Sequence, residues 1–88
     1  MKEPELERHL KVLANRRRLA ILRILRNRKE ANVTDIAELI KLSFTSTSKH
    51  LTMLERAGFV EKEQRGLNMF YTTATNAPRI LSSIILEL

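Results

Sequence analysis

Leucine and isoleucine recur through the first two-thirds of the chain at the three- and four-residue spacing of amphipathic helices. Leu6, Leu10 and Leu13 predict a first helix over Glu5–Ala14, with Pro4 well placed at its start. A second helix is predicted from Arg16 to Arg28. Its residues Leu19, Ile21, Leu22, Ile24 and Leu25 form a broad apolar stripe suited to the centre of a core. Lys29–Asn32 reads as a connector. Thr34 is placed to cap a third helix, Asp35–Lys41, whose buried face is Ile36, Leu39 and Ile40. Lys41-Leu42-Ser43 is a turn with Leu42 buried. Ser43 can cap a fourth helix, Phe44–Ala57, and Gly58 ends it where a left-handed residue is wanted.

The period then changes. Phe59–Gln64 and Met69–Thr73 favour strand, and Arg65-Gly66-Leu67-Asn68 between them holds Gly and Asn for a turn. This predicts a hairpin with a basic tip. Asn76 is expected to cap a last helix, with Pro78 in its first turn and Ile80, Leu81, Ile84, Ile85 and Leu88 along one side. The expected fold is mainly α with a small β-hairpin, in the order α-α-α-α-β-β-α. No repeat, low-complexity stretch or linker interrupts it, so residues 1–88 are expected to form one domain.

Composition narrows the function classes. The 88 residues are 43% hydrophobic and 30% charged, which suits a folded chain rather than a disordered one. No apolar run approaches the roughly 18 residues of a membrane span. Nothing apolar follows Met1-Lys2-Glu3-Pro4-Glu5, so no secretory signal is expected, and the expected location is the cytoplasm. Cysteine is absent, which excludes disulfides, thiol catalysis and cysteine-based zinc sites. The net charge of +6 favours a polyanionic partner, above all nucleic acid.

The positive charge is concentrated. Arg8, Lys11, Arg16, Arg17, Arg18, Arg23, Arg26, Arg28 and Lys29 fall in a stretch without one acid. The plain explanation is a solvated helix face. Arg16-Arg17-Arg18, however, follow the N-cap Asn15. There cations oppose the helix dipole by a few tenths of a kcal/mol each. A sequence that carries them at that position can be building an anion site from a helix N-terminus and guanidinium groups.

Residues 34–57 then read as a helix-turn-helix. On the second helix Thr47, Leu51 and Leu54 suit the core. Thr45, Ser48, Lys49, Thr52 and Arg56 form another stripe of short hydroxyls and cations, with no acid before Glu55. Such side chains can enter a major groove and donate to base edges and phosphates. We assign base reading to Thr45, Ser46, Ser48, Lys49 and Thr52, and phosphate contacts to Arg16, Arg17, Arg56 and Arg65. Arg65 sits at the hairpin tip, where a wing meets an adjacent minor groove or backbone.

Leu10-Lys11-Val12-Leu13-Ala14-Asn15 with Arg18-Leu19-Ala20-Ile21-Leu22 resembles the opening helices of ArsR-type winged-helix repressors. Ser48-Lys49-His50-Leu51, Leu54 and Ala57-Gly58-Phe59-Val60 resemble that family's recognition-helix signature, and Arg65-Gly66 with Phe70-Tyr71 its wing. The resemblance implies a transcription regulator, usually a repressor, that binds double-stranded DNA as a homodimer with helix 44–57 in the major groove. It also implies dimerisation through the first and last helices. Leu6, Leu10 and Leu13 on one, and Ile80, Leu81, Ile84, Ile85 and Leu88 on the other, are the interface residues this assigns. Five apolar residues are more than a terminal helix needs on so small a core.

Three departures shape the expectation. Relatives that sense metals use Cys pairs near helix 3, where Asp35–Ile40 has none, or Asp, His and Glu on the last helix, where only Glu87 stands. Phe44 occupies a position often polar in relatives. His9 and His50 lie on different helices and lack further donors, so we read them as structural or DNA-facing rather than as metal ligands. No cofactor, metal site or catalytic constellation is expected. The rival readings are a winged-helix module that docks a protein on its last helix, and a repressor with an unrecognised site for a metal or small molecule.

Overall fold

The computed structural model describes residues 1–88. Five helices and three strands follow in the order α1 (Glu3–Leu13), α2 (Arg16–Arg28), β1 (Glu30–Asn32), α3 (Val33–Ile40), α4 (Phe44–Arg56), β2 (Val60–Arg65), β3 (Asn68–Thr73) and α5 (Ile80–Glu87). No helix is long and apolar enough to cross a membrane.

α2 starts where Asn15 marks it. The Asn15 Oδ1 accepts from the backbone N–H groups of Arg17 at 2.9 Å and Arg18 at 3.1 Å. These are two of the donors a helix start leaves open. Ile21, Leu22 and Leu25 then turn inward and are buried. They share one core with Leu13 of α1, Ile36 of α3, Leu51 and Leu54 of α4, Phe59, Tyr71 of β3 and Leu81 of α5. Truncating a fully buried leucine in such a core costs about 2–5 kcal/mol.

The structure departs from the sequence expectation in four places. Lys29–Asn32, expected as a connector, contains strand β1. Only Ala31 of its three residues is buried, so there is no alternation to read. The strand exists because β3 offers an edge: Glu30 lies opposite Thr72 and Asn32 opposite Phe70, antiparallel, in a sheet of order β1-β3-β2. The expected hairpin is therefore the outer part of a three-stranded sheet.

Asn32, not Thr34, caps α3. Its side chain accepts from Asp35 N–H at 2.8 Å. The buried side of α3 is Val33, Ile36 and Ala37, with Ile40 half-buried, which is the true helical stripe; Leu39 lies off it and is exposed. Leu42, expected inside, is half-buried. Finally, α5 begins at Ile80 and Asn76 caps nothing. Pro78 disfavours helical backbone at Ala77. The chain turns only after it, where Leu81 N–H bonds Pro78 C=O at 2.9 Å and Ser82 N–H bonds Arg79 C=O at 3.2 Å.

Two positive backbone angles set the shape around α4. Lys41 is left-handed at φ 57°, and Leu42 N–H reaches back to Ala37 C=O at 3.0 Å, which folds α4 sharply away from α3. Gly58, at φ 82°, ends α4, and Phe59 N–H bonds Leu54 C=O at 2.9 Å. This is the αL-type stop that glycine takes without steric penalty. It sends the chain straight into the hairpin, where Arg65 faces Asn68 across the two-residue turn Gly66-Leu67.

Candidate nucleic-acid interface

α4 is held by its inner face. Thr47, Leu51 and Leu54 are fully buried, and the Ser43 Oγ accepts from Ser46 N–H at 3.1 Å to cap the helix. The opposite face is free. Phe44, Thr45, Ser48, Lys49, Thr52, Met53 and Arg56 line one shallow depression along it. Thr45 and Lys49 are exposed, and Ser48 and Thr52 half-buried. The Thr52 hydroxyl donates to Ser48 C=O at 2.9 Å, so toward solvent it offers lone pairs rather than a proton. Ser46 is half-buried and lies outside the depression, in the row of Lys49 and Met53. The hydroxyl-and-cation stripe read from the sequence is thus assembled, with Ser46 at its flank. Phe44, 58% exposed, and Met53 were not assigned to it. The signal for Phe44 was an aromatic in the first turn, one position after the cap.

The three arginines at the start of α2 have different fates. Arg16 is exposed, with its guanidinium outside every hydrogen bond and ion pair. Arg17 is half-buried and donates through Nη1 to Ile40 C=O at 3.0 Å, at the C-terminus of α3. Arg18 is only 8% exposed. Its Nε donates to Val12 C=O and its Nη2 to Lys11 C=O at 3.4 Å, both in the last turn of α1. Further along, Arg26 Nη1 donates to Ile85 C=O at 3.3 Å, in the last turn of α5. Cations favour the carbonyl-rich ends of helices. α2 therefore stands among three helix C-termini and supplies a guanidinium to each. Of the three arginines expected to form an anion site, Arg16 alone keeps an uncommitted guanidinium.

Arg18 also reaches α4. Its Nη1 lies 3.1 Å from the His50 Nδ1 and donates to the Met53 Sδ at 3.3 Å. Burial, then the charges of Arg18 and Arg17, push the His50 ring below its ordinary value, so it is neutral at physiological pH. Burial likewise lowers the Arg18 guanidinium. The other histidine, His9, packs edge-on against Phe59 with ring centroids 5.4 Å apart, a structural role.

Arg65, expected as the free donor of the wing, is clasped by two carboxylates on the exposed surface of the sheet. Its Nη1 and Nη2 donate to the two oxygens of Glu30 on β1, at 2.6 and 3.0 Å, and its Nε donates to Glu63. The guanidinium also lies 4.6 Å over the Phe70 ring. Its hydrogen bond holds the Glu30 carboxyl below the usual carboxylate range, and the two carboxylates raise Arg65 in turn. No local signal announces this clasp, because Glu30 comes from β1, a strand without alternation that exists only by pairing with β3. Lys62 pairs with Glu55 at 3.8 Å. At the tip, Leu67 is fully exposed. Arg56 is exposed and free of ion pairs.

The apolar residues of the terminal helices divide. Leu13 and Leu81 are buried in the chain's own core and have no surface to give a partner. Leu6 and Leu10 line a trough on α1 with Glu3, Glu7, Lys11 and Ala14. Ile80, Ile84, Ile85 and Leu88 are half-buried on α5, and Leu86, not assigned from the sequence, is exposed.

Two helices across a sharp turn, an exposed polar face on the second and an antiparallel wing behind it are the architecture of a winged helix-turn-helix domain. Comparison with known proteins agrees and goes further. The model of the MarR family matches residues 14–66, from the end of α1 to the wing turn. The cadmium resistance transcriptional regulatory protein CadC of Listeria innocua is 34% identical over 68 residues, 77% of this chain and 57% of its own length. The chain thus spans little more than half of that relative. The transcriptional repressor PagR of Bacillus anthracis is 32% identical over 71 residues, 81% of this chain and 69% of PagR. Among solved structures, the homodimeric winged helix-turn-helix DNA-binding domain of Mb0332 from Mycobacterium bovis, a possible ArsR-family transcriptional regulator, superposes with a TM-score of 0.82. It is 31% identical, over 96% of this chain and 75% of that one. The chain belongs to the MarR family.

Proposed function

We propose that this chain is a transcriptional repressor of the ArsR type that binds double-stranded DNA as a homodimer, with α4 in the major groove. The carrying observation is α4 itself: its inner face is fully buried, while its outer face lines an open depression with hydroxyls and with Lys49 and Arg56, neither of which makes an ion pair. A major groove accepts such a helix, and short donors and acceptors on it can address base edges. Thr45, Ser46, Ser48, Lys49 and Thr52 are the reading set. Arg16 and Arg56 are the phosphate contacts, being exposed and uncommitted, while Arg17 and Arg65 support the fold around them.

One recognition helix covers too few base pairs to single out a site among millions. Two of them related by a two-fold axis, about 34 Å apart, read half-sites in successive groove turns. The homodimeric relative from Mycobacterium bovis supports this assembly. Leu6 and Leu10 of α1, with Ile84, Ile85 and Leu88 of α5, supply the apolar seam, and residues 1–88 act as one DNA-binding domain. The repressor PagR supports the sign of regulation.

Selection of bound duplexes from a random pool tests this reading. The expected result is enrichment of a two-fold symmetric motif, with affinity falling steeply as salt rises. Failure to enrich any duplex rejects it.

A further inference from the structure

Arg18 is the one cation of α2 placed on its buried stripe: Arg18, Ile21, Leu22 and Leu25 recur at helical spacing and all four are buried. None of the chain's ion pairs includes it. Its donors go to carbonyls at the end of α1 and to two side chains of α4, His50 and Met53. α1 and α4 are thus joined through a single planar group.

The chemistry of the pair is one-directional. A guanidinium has five donors and no acceptor. The His50 nitrogen facing it, Nδ1 at 3.1 Å, must therefore accept. A ring nitrogen that accepts carries no proton, so the neutral ring holds its proton on Nε2. A doubly protonated ring has no acceptor and would set a second cation against a buried first one. Arg17 of α2 is the other charge acting on the ring, and it too is positive.

We propose that Arg18 is a positioning residue for DNA binding: it holds His50 as the Nε2–H tautomer and so fixes the pose of the recognition helix against the end of α1. The part that concerns DNA rests on the function proposed above; the ring lock does not. Lysine cannot replace the arginine. Its ammonium is a point charge and cannot span the Lys11 and Val12 carbonyls and the imidazole together. The arrangement also gives α1 a route to α4. A partner that shifts the last turn of α1 shifts the carbonyls on which Arg18 is seated.

The ring nitrogens of His50 in the 15N-labelled wild-type protein provide a test that needs no DNA. A protonated Nε2 and an unprotonated, accepting Nδ1 are expected; a mixed population, or a proton on Nδ1, overturns the lock. Arg18→Lys should give mixed tautomers and weaken binding to the pool-selected duplex by about tenfold, at a temperature where unfolding curves show the variant folded. His50→Asn places an acceptor near the position of Nδ1 and should keep affinity near that of wild type, whereas His50→Leu should lose it. Equal losses in the Asn and Leu variants, or an Arg18→Lys variant with wild-type tautomer and affinity, overturn the proposal. A chain that enriches no duplex rejects the DNA-binding reading and with it the positioning role. The ring measurement still decides the tautomer lock.

Discussion

α2 and α4 are both cation-bearing helices capped by a polar side chain, Asn15 in one and Ser43 in the other. They put their charge to opposite uses. On α2, Arg17, Arg18 and Arg26 reach out of the helix and donate to the last carbonyls of α3, α1 and α5. On α4, Lys49 and Arg56 stand in solvent with no ion pair. Charge density along a sequence therefore says little about where binding occurs. What distinguishes the two is reach and burial. A guanidinium rooted near a buried stripe finds carbonyl ends of neighbouring helices, while a cation rooted opposite the stripe finds only water and whatever docks there.

The largest expected effect breaks the inward half of this contrast. Arg18→Ala removes bonds to two carbonyls and a ring, and should destabilise the chain by at least about 3 kcal/mol in urea unfolding, since even one hydrogen bond from a charged group contributes about 1.5–3 kcal/mol and bonds sharing one group do not add in full. Lys49→Ala should move stability by less than about 0.5 kcal/mol. On the selected duplex the same Lys49→Ala change should cost about 1–3 kcal/mol of affinity, and much less on random DNA. Equal losses on both duplexes would make Lys49 a backbone contact.

The neighbours Arg16 and Arg17 sharpen the comparison further. Arg16→Ala should reduce the salt dependence of binding by about one ion, with folding stability unchanged. Arg17→Ala should lower stability by about 1 kcal/mol through the lost Ile40 contact, with less effect on the salt slope. If the two variants behave alike, the division of labour drawn here for α2 fails.

The His50 ring predicts an acid-side loss. Burial and then Arg18 and Arg17 set its folded value below the ordinary 6.5. Between the two values the unfolded chain binds more protons than the folded one, so stability falls as pH drops below about 6.5 toward the folded value. Above that point this group contributes its full share. Unfolding midpoints of wild type and His50→Asn from pH 8 to pH 5 measure it: the wild type should lose more than the variant over the same range.

The smallest effect is a gain. The Thr47 hydroxyl is fully buried under α4 without a hydrogen-bond partner. Thr47→Val keeps the shape and removes the unpaired group, and should add about 1 kcal/mol. Unchanged DNA binding in that variant would show that the inner and outer faces of α4 are energetically separable.

Much of this was legible beforehand where the signal is local. Asn15, Ser43 and Gly58 fix the ends of α2 and α4 by chemistry within a few residues, and the polar stripe of α4 follows from spacing alone. Strand β1 was not legible, because Ala31 is its one buried residue and β3, about forty residues on, creates it. The clasp on Arg65 was hidden for the same reason. The inward arginines were partly readable: Arg18 falls in step with Ile21, Leu22 and Leu25, and a cation in step with a core stripe is expected to have a partner inside. Asn76 misled because Pro78 two residues later disfavours helix at Ala77, and α5 begins only at Ile80.

The clasp of Arg65 by Glu30 and Glu63 has a kinetic consequence. Along the hairpin, Glu61, Lys62, Glu63 and Arg65 cancel, so the wing carries no net charge and projects almost no field beyond a Debye length of about 8–10 Å. Long-range attraction of a polyanion would therefore originate from the many exposed cations outside the hairpin, Arg16, Lys49 and Arg56 among them. If α4 is the DNA-reading helix proposed above, the encounter rate should slow with added salt through those cations rather than through the hairpin. The wing itself is stiffened by its own ion pairs and carries the apolar Leu67 fully exposed at its tip.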